Sequence, residues 1–149
     1  MKVRDIMEKN IISARPNTRY EDVARILYQN NISGVPVVDE NDKIAGFVSE
    51  KDIFRILYPR YDSFYAQPES YTDLEEREKK AGEIKNHKAE IFMTKMPVLI
   101  GPDDPVMKAG ALMLAKKVSR IPVVEAGRIV GIISRKMIYR AILKESFGF

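Results

Sequence analysis

A chain of 149 residues and 17.1 kDa, 45% hydrophobic and 31% charged, has the composition of a folded globular protein of one ordinary domain or two very small ones. Cysteine is absent and His87 is the single histidine, which excludes disulfides, thiol nucleophiles, zinc fingers and iron–sulfur clusters; no metal ligand or catalytic residue is assigned. No apolar run approaches the roughly 20 residues of a membrane-spanning helix, and Met1–Met7 lacks the apolar stretch of a signal peptide, so the expectation is a cytoplasmic chain with no membrane segment.

The net charge of +4 is unevenly spread. Residues 1–57 carry nine basic and nine acidic side chains, residues 58–88 six and seven, and residues 89–149 ten and five. The whole excess sits in the last third, around Lys116, Lys117, Arg120, Arg128, Arg135, Lys136 and Arg140. Such a patch suits a phosphate ligand, a nucleic acid, or water alone.

In chain order, Thr18-Arg19-Tyr20-Glu21 reads as a capping box that opens a helix with Val23, Ile26 and Leu27 on its inner face. Ile32–Val38 is a short β-branched run fit for a buried strand, Asp39–Asp42 a polar turn, and Ile44–Val48 a second strand. A helix follows from Ser49, with Ile53, Phe54, Ile56 and Leu57. Residues 58–88 differ in composition, with Tyr58, Tyr61, Phe64, Tyr65 and Tyr71 and then a charged stretch. Thr72 and Glu75 form another capping box there, and the expectation is an exposed connecting helix.

Asp104-Pro105 then opens a helix with proline in its first turn, followed by the apolar set Met107, Ala111, Leu112 and Leu114. Strands at Val118–Val124 and Ile129–Ile133, joined by Glu125-Ala126-Gly127, precede a last helix from Ser134 that carries Ile138, Tyr139, Ala141, Ile142 and Leu143.

These elements are one unit written twice. Residues 7–41 align with 93–127 without a gap, and 43–57 with 128–142 after one deletion. Thirteen of these fifty positions are identical, among them Met7/Met93, Pro16/Pro102, Ser33/Ser119, Pro36/Pro122, Gly46/Gly131 and Ser49/Ser134. The matches fall on turn-formers and apolar anchors, where a shared backbone is enforced. Each copy is too small to bury much core alone, so the two are expected to pack together. The fold class is α+β, with strand–helix–strand–strand–helix repeats over 1–57 and 89–149 and an insert over 58–88.

The candidate chemistry lies at Gly46-Phe47-Val48-Ser49-Glu50-Lys51-Asp52, where a strand ends and a helix begins. A helix N-terminus attracts anions, Ser49 offers a hydroxyl, and Asp52 can accept hydrogen bonds from paired hydroxyls such as those of a ribose. Ser-x-x-Asp is equally a capping box in which the two side chains satisfy the helix end. The second copy keeps Ser134 but has Met137 where the acid stood.

The repeat resembles the CBS domain, here as a tandem pair, the Bateman module. The resemblance rests on Asp5-Ile6-Met7 and Ile91-Phe92-Met93, on the Val-Pro-Val-Val and Ile-Pro-Val-Val strands, and on Gly-x-x-Ser before each last helix. It implies a regulatory binding module and not an enzyme, folded with pseudo-two-fold symmetry around two clefts for adenosine-containing ligands, and a homodimer. It assigns the ribose hydroxyls to Asp52 and a phosphate to Ser49. It lays the adenine against Ser33, Gly34, Val35 and Pro36, with Ile12 from the preceding strand. In the second copy Ser134, Arg120 and Ile121 match, with Arg120 reaching toward phosphates, and Met137 departs from the pattern, so one competent cleft per chain is expected.

The leading expectation is therefore a sensor of AMP, ADP or ATP, with S-adenosylmethionine as a further adenosyl ligand, no required cofactor, and a separate effector protein to receive the signal. The alternatives are a nucleic-acid-binding protein using the basic segment and the tyrosines, and a structural dimerisation module without ligand.

Overall fold

A computed structural model describes residues 1–57 and 82–149; the tyrosines of 58–71 and the capping box at Thr72 lie outside the described residues. The first repeat contains α1 (Val3–Ile6), α2 (Tyr20–Asn30), β1 (Gly34–Val38), β2 (Ile44–Ser49) and α3 (Glu50–Arg55). The second contains α4 (Ala89–Phe92), α5 (Val106–Lys116), β3 (Arg120–Glu125), β4 (Arg128–Ser134) and α6 (Arg135–Phe147). The α+β class and the twofold repeat are as the sequence predicts.

Each repeat builds an antiparallel hairpin, β1–β2 and β3–β4, with a bulge at the same place, between Val37 and Val38 and between Val123 and Val124. The deletion in the second copy lies in the hairpin loop. Ala126 and Gly127 make a two-residue turn with both φ positive, the geometry that follows strand twist. The longer first loop is held by Asp39, whose Oδ1 accepts from the N–H groups of Asn41 and Lys43 at 2.8 and 3.0 Å.

The strand expected at the start of each unit is reduced to one parallel bridge, Ala14 on Val37 and Ile100 on Val123. Pro16 and Pro102 follow two residues later and offer no N–H, and the chain turns instead, Thr18 onto Arg15 and Asp104 onto Gly101.

Neither of the first long helices starts as the sequence predicts. Arg19, not Thr18, is the N-cap of α2; the Thr18 hydroxyl accepts from the Arg15 N–H at 2.8 Å and Glu21 pairs with Arg25. The free N–H groups of Tyr20 and Glu21 donate instead to the carbonyls of His87 and Lys85, which belong to the approach to the second repeat. Pro105 is itself the N-cap of α5, Asp104 accepts from the Gly101 N–H, and the Val106 N–H donates to the Met1 carbonyl. The buried stripe of α5 is Val106, Ala109 and Met113, leaving Met107, Ala111 and Leu114 on the outer face.

Those long-range bonds reveal an exchange. Val3 of the first repeat is buried with Ile121, Ile133 and Ile138 of the second, and Ala89 of the second is buried with Val23, Val35 and Val48 of the first. Backbone bonds clip each opening segment in place: Glu8 exchanges two with Ile132, and Thr94 exchanges two with Phe47. Lys2 bridges Pro105 while Lys88 bridges Arg19, so each contact has its counterpart in repeat numbering. Equivalent residues meet one another at Ser33–Ser119 and at Lys43–Arg128, which puts a pseudo-two-fold axis between them.

The clips need glycine. A Cβ on Gly46 would stand 2.5 Å from Met93 Sδ and 2.8 Å from the Thr94 carbonyl; one on Gly131 would stand 2.6 Å from Met7 Sδ and 3.1 Å from the Glu8 carbonyl. Methionine tips give way, carbonyls in a hydrogen-bonded pair do not. Gly46→Ala is expected to cost about 1–3 kcal/mol, a fall in Tm of roughly 2–10 °C by scanning calorimetry, and Gly131→Ala less. Gly110→Ala, inside α5 with its nearest side-chain atom at 3.9 Å, is expected to raise Tm, because alanine outranks glycine in a helix by about 0.5–1 kcal/mol.

Candidate functional site

Ser49 ends β2 and caps α3. Its Oγ accepts from the Asp52 N–H at 3.3 Å, and the Ser49 N–H donates to Asp52 Oδ2 at 2.8 Å. The capping box left open by the sequence is thus formed. It does not use up the acid. Asp52 is 8% exposed, and the Ser49 hydroxyl donates to the same Oδ2 at 3.1 Å. Among the described residues Oδ1 meets only the Thr94 hydroxyl at 3.4 Å and the Arg55 guanidinium at 3.8 Å, and two such long contacts leave it accepting capacity.

This carboxylate stands in the wall of a cavity of about 350 Å³ between the repeats. The near wall is Ser33, Phe47, Ser49 and Asp52 of the first repeat. The far wall comes from the second: Met96, Pro97 and Val98 from its opening segment, and Lys116, Lys117, Ser119 and Arg120 from the approach to β3. Lys51 Nζ reaches the Lys117 carbonyl at 3.5 Å across the gap. A second cavity of about 360 Å³ lies on the other side of the Ser33–Ser119 contact, between Asn31–Ser33 and Ser119, Arg120, Ser134, Arg135, Lys136 and Tyr139.

Of the residues singled out in the sequence, Asp52, Ser49, Ser33 and Arg120 come together around the first cavity. Ser33 and Arg120 also border the second, where Ser134 caps α6 by accepting from the Met137 N–H at 3.2 Å. Gly34, Val35 and Pro36 are buried within β1, Ile121 is buried in the second core, and Ile12 lies on the surface; none of these five lines either cavity. The exchange explains the difference for Ile12. Its counterpart in repeat numbering, Val98, is the residue carried to the wall opposite Asp52.

Thr94, Met96–Val98 and Lys116–Ser119 escaped the sequence reading. The signal for Ser119 was its identity with Ser33 at a self-matching position, and the lysines belonged to the basic excess; Thr94 had no signal beyond its place two residues before Met96.

Arg120 is partly buried, and its Nε has no hydrogen-bond partner among the described residues. Burial pulls the guanidinium below its ordinary value, and attraction to Glu8 opposes that in part. Its counterpart in the first repeat is Gly34, where a Cβ would lie 2.5 Å from the Phe47 ring, so one arginine serves both sides of the axis.

The comparisons agree with this architecture. The family model of the CBS domain matches residues 3–59 and 88–144. MJ1426, an uncharacterized protein of Methanocaldococcus jannaschii, is 30% identical over 155 residues, covering 96% of this chain and 92% of that one. The chloroplastic CBS domain-containing protein CBSX2 of Arabidopsis thaliana is 27% identical over 150 residues, 91% of this chain and 60% of that relative's length. Among solved structures, CBSX2 in complex with AMP matches with a TM-score of 0.75 at 26% identity over 97% of this chain and 98% of that one. The CBS domain pair of MJ0100, in complex with 5′-methylthioadenosine and S-adenosyl-L-methionine, matches with a TM-score of 0.72 at 27% identity, again over 97% and 98%. With two matched segments that together span most of its length, the chain belongs to the CBS-domain family and carries that domain twice.

Proposed function

We propose that the chain is a non-catalytic regulatory module that holds an adenosyl ligand in the first cavity, AMP, ADP or ATP before S-adenosylmethionine. The observation that carries the reading is Asp52: a shielded carboxylate in the wall of a cleft of ligand size, with one oxygen held by the helix cap and the other in long contacts only among the described residues. A vicinal ribose diol suits Oδ1, and Arg120 and Lys117 across the cleft offer charge to phosphates. Met96, Pro97 and Val98 present an apolar surface to a base. The AMP in CBSX2 and the adenosyl compounds in MJ0100 support the same ligand class.

Because the walls come from opposite repeats, a bound ligand bridges them and favours whichever packing it binds better; that difference in affinity is the signal. No required cofactor is proposed, and the effector that receives the signal is a separate protein.

A second copy of the chain is the proposed immediate partner. Tyr28 and its repeat counterpart Leu114 are 88% and 77% exposed, and Phe54 and its counterpart Tyr139 are 62% and 50% exposed. Large apolar groups on both repeats at equivalent helix positions form a surface that a symmetric dimer covers. Light scattering after gel filtration is expected to give twice the chain mass for wild type and the chain mass for Tyr28→Lys/Leu114→Lys; a monomeric wild type refutes the dimer.

For the ligand, thermal shift with AMP, ADP, ATP, S-adenosylmethionine and a short single-stranded DNA at fixed salt is the test. At 100 times Kd a ligand adds about 2.7 kcal/mol, several degrees of Tm for a chain of this size. Asp52→Asn keeps an oxygen for the Ser49 N–H and removes the charge, so it is expected to fold and to lose the adenosyl shift. No shift with any adenosyl compound, or a shift with DNA alone, refutes the reading.

A further inference from the structure

The outer face of α6 is unlike that of an ordinary surface helix. Ile138 is buried and Ile142 packs against the second core, which fixes the inner face. The opposite face of such a helix is normally polar throughout. Here two rows run along it, each with its members four residues apart: Lys136, Arg140 and Lys144, and beside them Tyr139, Leu143 and Phe147. Five of the six are exposed and Leu143 is half-buried. Glu145, the one acid of the helix, follows Ile138 by seven positions and falls in line with it instead.

The turn that ends the helix extends the apolar row. Gly148 takes the left-handed conformation, with φ of 76°, and its N–H donates to the Lys144 carbonyl at 2.8 Å. That turn sets the Phe149 ring 5.9 Å from the Phe147 ring, inclined by 33°. The two side chains are 78% and 67% exposed, a paired apolar surface open to water.

The basic row is not neutralised. Among the described residues, Lys136, Arg140 and Lys144 make no ion pair within 4.0 Å. Their counterparts in the first repeat are engaged: Lys51 reaches the Lys117 carbonyl, and Arg55 stands 3.8 Å from Asp52. Met137 at the position of Asp52 leaves Arg140 without that partner.

The shape of the patch selects among partners. The recess of about 560 Å³ over this face is lined by α6 and Phe149 alone. No second element supplies an opposite wall, so a peptide finds no groove to lie in. The two phenyl rings stand too close to admit a base between them, and they have no hydrogen-bonding edge with which to read one. A flat surface that is anionic above and hydrocarbon beneath meets both rows at once. Phenyl rings enter the acyl boundary, while lysine and arginine heads stay with the phosphates.

We propose that this face of α6 docks on an anionic lipid membrane, with Phe147 and Phe149 at the acyl boundary and Lys136, Arg140 and Lys144 on the headgroups. The chain lies on the bilayer; no helix among the described residues is long and apolar enough to cross it. None of these residues borders the first cavity, so the proposal does not rest on the adenosyl reading.

The test is co-sedimentation of the full chain with vesicles of phosphatidylcholine and phosphatidylglycerol, against vesicles of phosphatidylcholine alone. Wild type is expected to bind the anionic vesicles at least about tenfold more tightly, and less so as salt is raised. Phe147→Ser/Phe149→Ser and Arg140→Gln/Lys144→Gln are each expected to weaken that binding roughly tenfold and to keep Tm within about 3 °C of wild type. Lys43→Gln/Arg128→Gln removes two exposed cations from the hairpin turns and is expected to change it less than about twofold. Tyr139 also belongs to the proposed dimer surface, which makes a second copy the competing occupant. Light scattering is expected to give Phe147→Ser/Phe149→Ser the mass of wild type; a lower mass assigns the patch to the dimer and overturns the proposal. It is equally overturned if anionic vesicles are not bound, if the Lys43/Arg128 variant loses them as much as the Arg140/Lys144 variant, or if single-stranded DNA or polyglutamate is captured in their place.

Discussion

Where β2 passes Thr94 and β4 passes Glu8, two backbones come so close that a Cβ on Gly46 would overlap the Thr94 carbonyl and one on Gly131 would press on the Glu8 carbonyl. At each place two N–H···O=C bonds join a strand of one repeat to the opening segment of the other. From these clips the remaining geometry follows. They deliver Val3 and Ala89 to the opposite cores, they bring the carbonyls that complete the first turns of α2 and α5, and they carry Thr94 to Asp52. A pair of hairpins merely lying side by side would have none of these.

On that shared scaffold the two clefts have become unlike through a few substitutions at equivalent positions. Asp52 faces Met137, Thr94 faces Glu8, and Gly34 faces Arg120 in repeat numbering. The third difference is constrained by sterics. The Phe47 ring and the Val48 carbonyl occupy the space beyond the Gly34 α-carbon, so an arginine there would displace the hairpin. Symmetry of the backbone and asymmetry of the charge therefore coexist, and Arg120 borders both cavities.

What the sequence made legible was what is local. Ser49 and Asp52 lie three residues apart at a strand-to-helix junction, and their spacing alone dictates both the cap and the carboxylate's position. The hairpins follow from β-branched runs and turn residues, and the duplication from identities at prolines and glycines. The far wall of the first cleft was not legible, because Met96–Val98 and Lys116–Ser119 reach Asp52 only through the exchange, and no periodicity encodes which repeat an opening segment joins. Thr18 illustrates the same limit on a smaller scale. Its pattern fits a cap, and a carbonyl from His87 took the position instead.

The exchange of opening segments also bears on how the chain is made. A protein leaves the ribosome from its N-terminus, and domains ordinarily close as they emerge. Here the first core lacks Ala89 until the second repeat has begun to appear. Val3 has its burial partners in Ile133 and Ile138, which are translated well over a hundred residues after it. The order of emergence and the order of closure are therefore opposed, and the nascent first repeat carries an open groove where a segment not yet translated belongs.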